Sequence, residues 1–97
     1  MPTSELYGSI EQHRVPVNNG AWNAIVLSRG MKHSLLSMDD INATFVLSFD
    51  NGVPLAAGRA VAAGRSVQLP GTESADLTIY VNPSINTTAQ VLYQADA

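Results

Sequence analysis

Ser, His and Asp all occur in this chain, so a nucleophilic triad is the first chemistry to weigh. A nucleophilic serine is usually held in a sharp strand-to-helix turn of the G-x-S-x-G kind, and that motif is absent. Gly64-Arg65-Ser66 comes nearest and lacks the second glycine. Asp39-Asp40 and Asp50-Asn51 offer oxygen ligands for a hard cation, but the D-x-[DN]-x-[DN]-G loop and its distal Glu are missing. Asp in such places more commonly forms turns, because its carboxylate accepts from nearby backbone amides. His13 and His33 lack the spacing of a metal pair, and the chain has no cysteine to add a thiolate. Neither G-x-G-x-x-G nor G-x-x-x-x-G-K-[ST] is present to cradle a phosphate. No catalytic, cofactor-binding or metal-binding residue is expected. Asn42-Ala43-Thr44 and Asn86-Thr87-Thr88 match the N-glycosylation pattern. Met1 to Ile10 shows no basic region followed by an apolar stretch, so no secretory leader is expected and the match carries no weight.

What remains is chemistry of contact. Trp22, Tyr7, Tyr80 and Tyr93 offer rings for carbohydrate stacking or protein binding; on strands, such rings also serve cross-strand packing. Trp22 follows Asn18-Asn19-Gly20, where it either closes the edge of a core or anchors an interface. Arg59 and Arg65 lie in a glycine-containing stretch and either meet acidic groups of a partner or stay solvated.

Five basic against eight acidic residues leave a net charge of −3, and only 13% of residues are charged. Clustered basic residues for nucleic acid or an anionic membrane are therefore missing. No apolar run approaches the roughly 18 residues of a membrane helix. With 45% hydrophobic residues the 97-residue chain has the composition of one folded domain. So little charge on so small a body suits a surface covered by other chains, which favours a homo-oligomer or a docked subunit.

The elements that must position these residues have mostly a period of two. Ala43, Phe45, Leu47 and Phe49 alternate with polar or smaller neighbours and predict a strand with one buried face. Asp50-Asn51-Gly52 then predicts a hairpin turn, with Val53 to Leu55 returning. Further strands are expected at Ala21 to Ser28, His33 to Met38, Val67 to Leu69, Ala75 to Val81 and Ala89 to Gln94. The alanine-rich stretch from Leu55 to Ala63 is interrupted by Gly58 and reads as loop with short extended pieces, a short helix being the alternative. The expected fold is all-β, a small antiparallel β-sandwich or barrel over residues 21–97, preceded by an extended N-terminal arm over residues 1–20. Leu6, Tyr7 and Ile10 of that arm either cap an open end of the sandwich or dock on a neighbouring chain.

Ser34-Leu35-Leu36, Phe45 to Gly52, Val67 to Gly71, Leu77 to Val81 and Ala89 to Tyr93 follow one another in an order that resembles a small β-module of tailed-bacteriophage virion proteins. The resemblance covers the chain from His33 onward. Met38-Asp39-Asp40 departs from it, standing where an Asn-rich turn is usual. It implies a structural role on the outside of a capsid or in a tail. With the weakly charged β-domain, the expectation is a capsid decoration or cement subunit made in the host cytoplasm and bound to the major capsid protein. A dimer or trimer is the implied form, and no catalytic residues carry over. A tail, fibre or adaptor component that binds a host glycan or a neighbouring tail protein is the alternative.

Overall fold

The computed structural model describes residues 10–72 and 74–95. Eight strands form: β1 (Ile10–Val17), β2 (Asn23–Leu27), β3 (Met31–Met38), β4 (Phe45–Ser48), β5 (Arg59–Val61), β6 (Val67–Gln68), β7 (Leu77–Pro83) and β8 (Thr87–Ala95). A single 3₁₀ turn, Leu55–Ala57, precedes β5. The pairing is nested: β1 lies antiparallel to β8, β2 to β7, β3 to β6 and β4 to β5. The chain is thus one long hairpin rolled over on itself. Rolling adds β3 against β8 and β4 against β7, which closes two four-stranded sheets in the orders β1-β8-β3-β6 and β2-β7-β4-β5. That is the arrangement of an eight-stranded jelly roll, a sandwich and not a barrel.

Alternation decides which side chains fill the space between the sheets. Ile25 and Leu27 of β2, Leu36 and Met38 of β3, Phe45 and Leu47 of β4, Ile79 and Val81 of β7, and Ala89 and Val91 of β8 are all buried. Each is two places from the next on its strand, as a pleated ribbon with one dry face requires. The remaining core comes from Val17, Val61, Val67 and Leu69 at the sandwich margins.

The expected arm over residues 1–20 is corrected by this topology. Ile10–Val17 is an edge strand of the first sheet, in register with β8 from Ile10 opposite Gln94 to Val17 opposite Thr87. The sandwich therefore takes in Ile10–Val17, and Ile10 contributes backbone to the sheet; Leu6 and Tyr7 lie outside the described residues. Its alternation is weak because only Val15 and Val17 reach the core, while His13 occupies the same side nearer the open end. Pro16 lies on the opposite side, and an edge strand tolerates a residue with no N–H to give.

Two further expectations shift. Val53 to Leu55 does not return as a strand; β5 does, so the connection spans 49–58 with Gly52 in a left-handed turn (φ +73°) inside it. Phe49, expected on the buried face, lies just beyond the end of β4 and is half exposed. The connection is held against the second sheet: the Trp22 indole N–H donates to the Val53 carbonyl at 2.9 Å.

β3 carries one irregularity. Lys32 opposes Gln94 but Leu35 opposes Leu92, so three steps on β3 match two on β8 and one residue is extra. His33 absorbs the bulge with φ +53°, a left-handed conformation that costs a non-glycine residue about 1 kcal/mol or more. The next residue, Ser34, is fully buried, and its hydroxyl has no hydrogen-bond partner among the described residues.

Candidate functional site

The two ends of the sandwich differ in chemistry. At one end lie the connections 18–22, 39–44, 62–66 and 84–86. Three of them are stitched together: the Ser84 N–H donates to the Thr44 carbonyl (2.8 Å), Thr44 N–H to Ser84 Oγ (3.0 Å), and Asn19 N–H to Asn86 Oδ1 (2.8 Å). Asp40 behaves as a turn residue here, its Oδ1 accepting from Asn42 N–H at 2.9 Å. Asp39 pairs with Arg14, which also donates to Gln90. Among the described residues no group of three or more His, Asp or Glu is placed to hold a metal ion. From this braced end two aliphatic side chains project, Ile41 at 74% exposure and Ile85 at 37%.

At the other end are the β2–β3 turn and the facing ends of β1 and β8. A groove of about 300 Å³ opens there, lined by His13, Val26, Tyr93 and turn residues 28–31. His13 and Tyr93 stand on the inward side of their strands, beyond the point where Val15 and Val91 complete the core. On its other flank, Tyr93 borders a shallow depression shared with His33, Leu35 and Leu92. The bulge thus brings the two histidines, twenty residues apart in sequence, to either side of one tyrosine.

The turn that completes the groove is clamped from beneath by Thr72, which is 2% exposed. Its hydroxyl accepts from Met31 N–H at 3.0 Å and donates to the Ser28 carbonyl at 2.7 Å. Its carbonyl accepts from Gly30 N–H at 2.7 Å, and its own N–H donates to the Met31 carbonyl at 3.1 Å. Gly30 takes φ +97°, which the reversal between β2 and β3 needs. Arg29 N–H is held by Asp76 Oδ1 at 2.8 Å, so the arginine's backbone is fixed while its guanidinium has no hydrogen-bond or ion-pair partner among the described residues. Replacing Thr72 by Val keeps the shape and strands Met31 N–H and the Ser28 carbonyl in a dry site. We expect Thr72→Val to lower unfolding free energy by about 1–3 kcal/mol in urea titration, with Thr72→Ser recovering most of it.

The residues expected to make contacts are scattered. Trp22 sits half-buried beneath the 49–58 connection, its indole N–H on the Val53 carbonyl and its ring beside Gly58. Arg59 begins β5 and borders a depression with Phe49, Asp50 and Gln68, whereas Arg65 follows β5 in the loop near Ile41. Tyr80 lies between buried Ile79 and Val81 and so faces outward on the second sheet, away from Tyr93 on the first. Among the described residues, Trp22, Tyr80 and Tyr93 form no single aromatic surface. Ser28 and Arg29 of the groove were not singled out by sequence reasoning; an arginine beside the glycine of a strand-to-strand turn was the available signal. Comparison with family models, with curated proteins and with solved structures finds no match.

Proposed function

We propose that this chain is a structural protein of a tailed-phage particle: a decoration or cement subunit on the capsid exterior, acting as a homo-oligomer on the major capsid protein. The observation that carries the reading is a complete jelly roll built in a 97-residue, charge-poor chain whose braced loop end presents Ile41 and Ile85. Jelly rolls recur in viral capsid and lectin domains, and exposed aliphatics on a rigid end suit docking on a preformed surface. Arg65, exposed in the neighbouring loop, supplies a cation for an acidic group on the partner. The role is binding without catalysis, cofactor, nucleic acid or membrane. Many modest contacts, repeated across a lattice, would retain the subunit through multivalency. Binding only to the assembled shell would stabilise that shell by mass action.

Particles assembled with and without the protein are to be heated and genome release followed by dye fluorescence. Release should shift to higher temperature with the protein bound. Ile41→Asp should lower its retention on gradient-purified particles at least about tenfold. Equal release temperatures, or undiminished retention of the variant, would overturn the reading. The tail, fibre or adaptor alternative is favoured by the open groove at the far end; a copy number far below that of the capsid protein would select it.

A further inference from the structure

We propose that the groove between β1, β8 and the β2–β3 turn binds an acidic sugar unit, gripped through its carboxylate by Arg29. Arg29, His13 and Tyr93 all line it, and the Arg29 guanidinium, the His13 ring and the Tyr93 hydroxyl have no hydrogen-bond or ion-pair partner among the described residues. An unpaired guanidinium is a planar fork of donors matched to a carboxylate. It stands on a turn whose four backbone bonds to Thr72 fix it before any ligand arrives, so little ordering remains to oppose binding. Among the described residues no carboxylate lines the groove. Asp76 accepts from Arg29 N–H, and Glu11 makes an interaction of its own.

The rest of the lining selects the body that carries the carboxylate. Val26, Met31 and the ring of Tyr93 give apolar surface, while Ser28 and His13 give short-range hydrogen bonding. A pyranose presents that same mixture, with C–H faces between hydroxyls. At about 300 Å³ the groove stands at the lower end of ligand-pocket sizes, enough for one sugar ring and too small for an extended chain. It is open to solvent, so single-site affinity is weak, and retention on a glycan surface would come from repetition. The groove lies at the end opposite Ile41 and Ile85, so it stays accessible while the other end is docked. The proposal does not rest on the capsid reading, and each can fail alone.

The test is a titration of the full, ¹⁵N-labelled chain with glucuronate, glucose and acetate, followed by backbone amide shifts. Glucuronate should move the amides of residues 28–31, His13 and Tyr93 with a Kd on the order of millimolar. Glucose and acetate should each bind about tenfold more weakly or worse, since each supplies half of the recognition. Arg29→Gln should weaken glucuronate about tenfold or more, Arg29→Lys less, and Arg65→Gln not at all. Folding of each variant is read from the same spectra. Unmoved groove amides at about 50 mM glucuronate, or an unchanged Kd in Arg29→Gln, would overturn the site. Acetate binding as tightly as glucuronate would overturn the sugar assignment.

Discussion

Ile79→Ala should remove about 2–5 kcal/mol of folding stability. Ile79 is 0% exposed and stands in β7, an inner strand of the second sheet, directly opposite Ile25 on β2. Truncation deletes three carbons from the dry space between the sheets, and strands anchored on both sides cannot collapse into the gap. For a domain of this size the total stability is of order 5–15 kcal/mol, so one such cavity consumes a large share. The midpoint of thermal unfolding should fall by about 10–25 °C. Ile79→Val, which removes one methylene, should cost only about 0.5–1.5 kcal/mol. The ratio between the two variants is the diagnostic measurement. Near-equal losses would mean that β7 is held by its hydrogen bonds and not by packing.

Gly58→Val should be nearly as damaging for a different reason. Gly58 has an extended backbone (φ −90°, ψ 173°) and no conformational need for glycine. Its need is spatial. A Cβ there would stand 2.4 Å from Val46 Cγ1 and 3.0 Å from the Leu47 carbonyl oxygen, with the Trp22 ring 3.4 Å away. Val46 is branched at Cβ and cannot swing its methyl aside cheaply, and the carbonyl belongs to a sheet strand. Relief therefore requires the 49–58 connection to lift off the second sheet. We expect a loss of about 2–3 kcal/mol, at the upper part of the range for overpacking. Lifting the connection also breaks the Trp22–Val53 hydrogen bond, and Trp22 is the only tryptophan. Its fluorescence should move to the red in the folded variant, while the emission of Ile79→Ala should be unchanged. A Gly58→Val protein with native emission and stability would show that the connection is not seated as described.

These two residues also mark how far the sequence was legible. Ile79 sits in the run Leu77, Ile79, Val81, whose two-residue period announces a half-buried strand, and the structure buries that face. The same period located β4 and β8, while β2 and β3 were expected as apolar stretches on either side of a turn, and together they gave the all-β class. Gly58 illustrates what periodicity misses. Ala56 and Ala57 precede it and Ala60 follows Arg59, and alanines pack equally well in a turn, a strand or a loop, so nothing local announces that β5 begins at Arg59. β1 was hidden similarly: Glu11 and His13 occupy inward positions near an open end, where burial no longer demands an apolar residue. The groove was the least legible feature. His13, Arg29 and Tyr93 are separated by long stretches of chain and meet only because the nested hairpin sets β1 against β8 and the β2–β3 turn at the same end. Pairing of distant strands is a global property, and no window of local sequence contains it.

Ile10 opposite Gln94 places the first and last described strand ends side by side, at the pole away from Ile41 and Ile85. Fraying either strand there would unpair both, because β1 and β8 share one ladder from Ile10 to Val17.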